Sequence, residues 1–294
     1  MGTAMSMKTR TIGNRTVSAI GLGGMPMSIE GRPDRDRSLA TIHASLDAGV
    51  TLIDTADAYH LHADEVGHNE SLIAEALRSW GGDTSQVLVA TKGGHLRPGD
   101  GSWTIDSSPK HLREACEASL KRLGVDAIGL YQLHRPDVSG VPYEESVGAI
   151  GELLDEGKIQ MAGISNADPD QIRLAQEVLG GRLVSVQNQY SPSYRSSEPE
   201  LRLCDEMGIA FLPWSPLGGI SKAGELGSTF APFQEVADAH GVSPQQVTLA
   251  WMLAASPVVI PIPGSSRPET ARDSAAAVEL ELTADELQRL STTG

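Results

Sequence analysis

Eight short apolar runs that do not alternate with polar residues restrict this chain more than any other feature. They are Ala19–Gly23, Val50–Ile53, Val87–Thr91, Ile128–Leu133, Ile159–Ile164, Leu183–Val186, Ile209–Leu212 and Val258–Ile262. Runs of this kind, rich in β-branched residues, read as strands buried on both faces. Between them apolar residues recur at helical spacing: Leu39, Ile42 and Leu46; Leu72, Ile73, Ala76, Leu77 and Trp80; Leu112, Cys116 and Leu120; Ile150, Leu153 and Leu154; Ile172 and Ala175; Leu201 and Cys204. Ser108-Pro109 and Asp168-Pro169 mark helix starts, and Gly124, Gly157 and Gly208 stand just past helix ends. Strand–helix alternation with short connections builds a parallel sheet. Eight units in 294 residues predict a closed (β/α)8 TIM barrel of the α/β class rather than an open sheet.

The flanks extend that plan. Residues 8–18 hold Gly13-Asn14 between two β-prone arms, the signal of a hairpin, and residues 283–290 predict a tail helix. No linker, low-complexity run or charge block interrupts the chain. The expected organisation is one domain over residues 1–294, with the hairpin at about 8–18, the barrel at about 19–277 and the tail helix at about 283–290. The open-sheet alternative has one local argument, the glycines of Gly21-Leu22-Gly23-Gly24-Met25-Pro26. A dinucleotide fingerprint needs a third glycine where Pro26 stands, and no acid-ended second strand follows at the right distance. These glycines are expected instead to let backbone approach a ligand at the barrel mouth.

Composition narrows the partners. A net charge of −15 argues against nucleic acid or an anionic membrane, and no stretch approaches the ~18 apolar residues of a membrane span. Cys116 and Cys204 sit at apolar-face positions of separate helices and read as reduced core thiols. Met1-Gly2-Thr3-Ala4-Met5-Ser6 meets the bare N-myristoylation pattern, but Met5 and Met7 are alternative starts. The expected location is cytoplasmic. Whether the chain forms a homo-oligomer is not legible.

A barrel of this type places its active site at the C-terminal ends of the strands. The polar residues following each run are therefore the candidates: Asp54 and Tyr59, Lys92, His134, Ser165-Asn166, Gln187, Trp214-Ser215, and Pro263-Gly264-Ser265-Ser266-Arg267. Read alone, Asp54 and Tyr59 are as well explained by a loop-starting acid and a packed phenol. Together with an amine and an imidazole at one mouth they suit proton transfer. His60, His62 and His68 look like metal ligands, but they fall in a loop with no carboxylate triad, so no metal is expected and a substrate loop is the better reading. Lys92 as a Schiff-base amine is a further alternative, opposed by Asp54, which would keep it charged.

In this order and at these strand ends, Asp54…Tyr59, Lys92, His134, Gly163-Ile164-Ser165-Asn166, Gln187-Asn188-Gln189-Tyr190, Trp214-Ser215-Pro216-Leu217-Gly218 and Pro263-Gly264-Ser265-Ser266-Arg267 resemble the aldo-keto reductase superfamily. The resemblance spans nearly the whole chain, from the hairpin, which the family sets across the barrel floor, to the tail helix. It implies NADP-dependent reduction of an aldehyde or ketone, with Asp54, Tyr59, Lys92 and His134 matching the catalytic tetrad. A free phenol titrates near ~10; an ammonium at Lys92, held charged by Asp54, is expected to lower that value, and His134 to orient the carbonyl.

On the cofactor side the resemblance implies that Ser165, Asn166 and Gln187 meet the nicotinamide carboxamide. Trp214 takes the stacking position where the family commonly has Tyr, and Ser215 and Leu217 lie along the pyrophosphate. Gly264, Ser265, Ser266 and Arg267 form a phosphate turn, and Asp273 and Ser274 reach toward the adenine. The better-known pattern has Lys in the place of Gly264, which leaves Arg267 as the cation for a 2′-phosphate and favours NADPH over NADH. Met25, Trp103 and Arg135 are expected pocket walls, with Trp103 either a lid residue or a packing anchor. The substrate is a small carbonyl compound in an open pocket. Residues such as Arg35-Asp36-Arg37 and Ile262-Pro263-Gly264 look most like the bacterial branch that includes pyridoxal reductases. An NADP(H)-sensing regulatory protein with slow turnover is the alternative function.

Overall fold

The structure, a computed structural model, describes residues 7–138, 140–219 and 222–293. Seven strands run in parallel ladders in the order β11-β10-β9-β8-β5-β4-β3. They are β3 (Leu22–Gly23), β4 (Leu52–Asp54), β5 (Leu88–Gly93), β8 (Ile128–Leu133), β9 (Ile159–Ser165), β10 (Leu183–Gln187) and β11 (Ala210–Phe211). The predicted eighth strand, Val258–Ile262, is extended chain without a regular ladder. Pro261 removes one of its N–H donors, and Pro257 and Pro263 remove the donors on either side of it. What remains still closes the ring. Ile260 N donates to Phe211 O at 2.8 Å on one side, and Gly21 N and Gly23 N donate to Pro261 O and Pro263 O, each at 2.9 Å, on the other. The result is a TIM barrel whose last seam is made of single bonds.

That seam accounts for the glycines of the first run. A Cβ on Gly23 would meet Ile262 O at 2.8 Å, and one on Gly24 would meet Asp54 O at 2.9 Å. Their small size is used first for backbone-to-backbone approach at the closure, although both also border the cavity at the mouth.

Helices α1 (Arg35–Asp47), α2 (His68–Trp80), α3 (Pro109–Leu123), α4 (Tyr143–Asp155), α5 (Pro169–Val178) and α6 (Glu198–Met207) follow their strands as the apolar spacing predicts. Ser108 caps α3 through His111 N, and Asp168 forms a capping box with Gln171 at α5. Cys116 and Cys204 are buried on α3 and α6, and burial pushes their thiols up to about 11 and about 12. The four-residue helix α7 (Leu226–Thr229), then α8 (Ala231–His240), α9 (Pro244–Ala255) and α10 (Pro268–Ala276) have no counterpart in the sequence reading. In α9 the run Val247–Met252 is buried throughout, so no polar face remains to reveal a helical period.

The hairpin is β1 (Thr9–Ile12) with β2 (Arg15–Ser18). Ile12 and Val17 pack with Leu52, Leu88, Leu130, Met161, Leu212 and Ile260, the residues that fill the barrel interior. The hairpin therefore closes the floor. Arg10 fastens it by donating to Ser256 O, Val259 O and Leu253 O. The tail helix α11 (Ala284–Ser291) starts at a Thr283–Glu286 capping box. A short pair, β6 (His95–Leu96) with β7 (Thr104–Ile105), lies between β5 and α3 and rises beside the mouth. No helix among the described residues is long and apolar enough to cross a membrane. The myristoylation pattern at Met1–Ser6 lies outside the described residues, as do Ile220 and Ser221 of the loop after the seventh strand.

Candidate active site

Parallel strands bring their C-terminal ends to one rim, so side chains far apart in sequence meet there. Asp54 closes β4, Lys92 is next to last in β5, Gln132 is next to last in β8, and Gln187 closes β10. Lys92 is fully buried, and its Nζ donates to Asp54 Oδ1 at 2.5 Å, Thr55 O at 3.0 Å and Tyr59 Oη at 2.9 Å. Those bonds use all the protons of an ammonium, leaving no lone pair for Schiff-base chemistry. Burial works to lower the Lys92 pKa, but Asp54 and Tyr59 outweigh it and leave it raised. Because Tyr59 Oη accepts from Lys92, its own proton is free to be donated elsewhere.

The sequence expectation for Tyr59 needs correction. Burial of the phenol outweighs the lowering effect of Lys92, and its pKa stands above the ordinary value. Tyr59 is thus protonated at neutral pH. His134, just beyond β8, lies edge-on to the Tyr59 ring with centroids 5.9 Å apart. Burial first, then the charges of Lys92 and Arg135 and the neighbouring imidazole of His95, hold its pKa well below the usual imidazole value. A neutral imidazole faces a protonated phenol across the cavity.

Asp54 is held from a side that the sequence did not reveal. Its Oδ2 accepts from Gln187 Nε2 at 2.8 Å and Gln132 Nε2 at 3.2 Å, and Gln187 Nε2 also donates to Gln132 Oε1 at 3.0 Å. Gln132 is buried two residues before the expected site position, His134. The alternation of inward and outward side chains along β8 was the available signal. A second buried network lies behind the first: Glu70 on α2 accepts from Arg122 Nε on α3 at 2.8 Å and from Thr91 Oγ1 at 2.7 Å. Beside it Asp57 Oδ1 and Tyr131 Oη are buried without partners, and burial pushes the Asp57 carboxyl up to about 8, helped by Glu70.

A cavity of about 460 Å³ opens above these groups, bordered by Met25, Asp54, Tyr59, His134, Trp214 and Leu217 among others. Trp103 and Arg135 also border it. Trp103 packs its ring 4.6 Å from His95, under the Arg97 guanidinium at 4.4 Å, so it is a wall of the mouth. His95 itself had not been singled out. His60, His62 and His68 do not border the cavity; His60 Nδ1 bonds His62 O, and His68 Nδ1 bonds Ser28 Oγ. His60 thus bonds within its own loop, and His68, the first residue of α2, bonds Ser28.

The expected carboxamide contacts are partly committed to the protein. Asn166 Nδ2 donates to His134 O and Ser165 Oγ, its Oδ1 accepts from Trp214 Nε1 at 3.1 Å, and Ser165 Oγ donates to Gln187 O. Asn166 and Ser215 adopt left-handed backbone, with φ of 58° and 48°, in a region that non-glycine residues rarely enter. Both residues lie at the mouth, beside the Trp214 indole that donates to Asn166. Acceptor capacity for an amide remains at Gln187 Oε1 and Ser165 Oγ, beside the Trp214 ring. These residues fit an aromatic amide such as a nicotinamide.

Further out, Gly264 borders the cavity but Ser265, Ser266 and Arg267 do not. Ser265 Oγ is turned inward onto Arg267 O and Thr270 Oγ1. Asp273 is taken up by Ser243 and Gln246 at the start of α9, and Ser274 is buried. Arg37 of α1, absent from the sequence candidates, donates its Nε to Ser266 O at 3.2 Å. Arg37 is therefore a second arginine at the turn that carries Arg267.

A family profile described as the aldo/keto reductase family matches residues 19–293. The chain belongs to the aldo/keto reductase family. It is 32% identical over 302 residues to pyridoxine 4-dehydrogenase of Escherichia coli, covering 97% of this chain and 98% of that one. It is 33% identical over 292 residues to an uncharacterized oxidoreductase of Schizosaccharomyces pombe, covering 97% and 90%. An aldo/keto reductase from Klebsiella pneumoniae, solved in complex with NADP and acetate, superposes with a TM-score of 0.80 at 28% identity, covering 97% of this chain and 94% of that one. Membership makes the chain an oxidoreductase acting on carbonyl and alcohol groups.

Proposed function

We propose that this aldo/keto reductase converts an aldehyde or ketone to the alcohol, using NADPH and a proton from Tyr59. The observation that carries the reading is the Lys92 ammonium bonded at once to Asp54 and Tyr59. NADPH, when bound, supplies the hydride. Tyr59 donates its free proton to the developing alkoxide. Lys92 then stabilises the phenolate left behind, and Asp54, anchored by Gln132 and Gln187, keeps Lys92 charged through the cycle. His134, neutral, donates a hydrogen bond to the carbonyl oxygen and holds it within reach of Tyr59. Gln187 Oε1 and Ser165 Oγ would hold the carboxamide, Trp214 would hold the ring, and Ser215 and Leu217 the pyrophosphate. Arg267, with Arg37 on the same turn, would hold a 2′-phosphate, which favours NADPH over NADH.

The name of the Escherichia coli relative puts pyridoxal in the first panel of substrates. The deciding experiment follows loss of reduced-nicotinamide absorbance with pyridoxal, small aldehydes and aromatic aldehydes in turn. Turnover with at least one is expected. Tight NADPH binding without turnover on any of them would make the protein a cofactor sensor instead.

A further inference from the structure

We propose that Arg135 forms an oxyanion subsite in the cavity, and that the carbonyl compounds this enzyme prefers carry a carboxylate or phosphate. The proposal rests on the carbonyl-reduction reading above and assigns its substrate class.

The protein carries a net charge of −15, yet Lys92, Arg97 and Arg135 gather around His95 and His134 at the mouth. Two of these cations are already answered. Lys92 is paired with Asp54, and Arg97 is paired with Glu30 and donates to His60 O. Arg135 borders the cavity half-buried, and no carboxylate among the described residues forms an ion pair with it. Its place is fixed from behind. Ser107 Oγ donates to Arg135 O at 2.9 Å, Ser107 N donates to Asp137 Oδ2 at 3.1 Å, and Ser146 Oγ donates to Ser107 O at 2.6 Å.

A guanidinium carried on backbone held in this way, with no ion-pair partner among the described residues and apolar walls beside it, is poised for a ligand oxyanion, which it can meet with two parallel N–H donors. His95 does not compete for that role. Its ring lies 4.7 Å from His134 and 4.6 Å from Trp103, and burial with the surrounding cations keeps it uncharged at neutral pH. The charge offered to a substrate next to Tyr59 and His134 is therefore that of Arg135.

Matched substrates test this in the whole protein with NADPH: 4-carboxybenzaldehyde against its methyl ester, and glyceraldehyde 3-phosphate against glyceraldehyde. The charged member of at least one pair is expected to have the higher kcat/KM by about 10- to 100-fold, the worth of a charge-assisted hydrogen bond. The difference should lie in KM, and added salt should raise KM for the charged member alone. Preference in the first pair assigns carboxylate, and in the second phosphate. Arg135→Gln should bring the ratio toward one, and Arg135→Lys should restore part of it. If Arg135→Gln does not fold, the wild-type ratio and its salt dependence decide. Equal use of charged and neutral members, or a ratio unchanged in Arg135→Gln, overturns the subsite while leaving carbonyl reduction standing. Failure to reduce any of the four compounds overturns the subsite, and carbonyl reduction falls with it only when pyridoxal and the rest of the aldehyde panel fail as well.

Discussion

At the residue scale the site works through the direction of single protons. Lys92 spends its three on Asp54, Thr55 and Tyr59, which leaves the Tyr59 proton for the cavity. Replacing Tyr59 with Phe keeps the ring and removes that proton. Turnover should fall about 10²–10⁴-fold, the usual worth of general acid catalysis, with NADPH binding retained. A variant keeping more than a third of wild-type kcat takes Tyr59 out of the mechanism. Asp57 gives a prediction about pH. Its folded pKa of about 8 is above the value of a free carboxyl, so between roughly pH 4 and pH 8 the folded protein holds a proton that the unfolded chain has lost. Stability from this group is complete below about pH 4 and drains away as pH rises toward 8. Asp57→Asn should flatten that slope and raise stability at pH 8 by on the order of 1 kcal/mol or more. Urea unfolding at pH 5 and pH 8 measures it, and an unchanged difference between the two would mean that Asp57 is ionised in the fold.

At the element scale the surprises sit where secondary structure and barrel closure pull apart. Val258–Ile262 has the composition of a strand and the position of one, but its prolines leave isolated bridges in place of a ladder. The closure is consequently supported from the floor, where Arg10 of the hairpin holds Ser256 O and Val259 O. Ile12 on that hairpin is wholly buried among residues from several barrel strands. Ile12→Ala should cost about 2–5 kcal/mol, as other large-to-small changes in packed cores do. Chemical denaturation reads this directly. A loss below about 1 kcal/mol would show that the hairpin only covers the floor without sharing its core.

For the whole molecule, the test is whether separate turns of the barrel converge on one cofactor phosphate. Arg267 follows the last seam and Arg37 comes from α1, and Ser266 lies between them. Arg267→Ala should weaken NADPH by about 10- to 150-fold, the equivalent of a charge-assisted bond of roughly 1.5–3 kcal/mol, and leave NADH nearly unchanged. Arg37→Ala should act in the same direction with a smaller effect, since its Nε is already engaged. Quenching of tryptophan fluorescence, with Trp214 in the cavity as reporter, measures both cofactors. Equal losses for NADPH and NADH would move these arginines to the pyrophosphate or to the fold.

The alternating pattern of apolar runs and helical faces was enough to predict the barrel, because the strands stand out as continuous apolar runs and α1 to α6 show their buried faces in local spacing. The same pattern pointed to Asp54, Tyr59, Lys92 and His134, because polar residues directly after buried strands stand out against them. Their partners were hidden. Gln132 lies inside an apolar strand, and Glu70 and Arg122 lie on helix faces that look like ordinary surface until α2 and α3 pack together. Helix α9 was missed because it is buried nearly all round. What only the tertiary structure decided is how hydrogen bonds and charges are shared among groups distant in sequence: Asn166 and Gln187 turned onto protein partners, Asp273 drawn to α9, the Tyr59 pKa raised by burial, and Arg135 at the mouth with no ion pair among the described residues. Burial and pairing depend on distance in space, and local sequence carries no record of it.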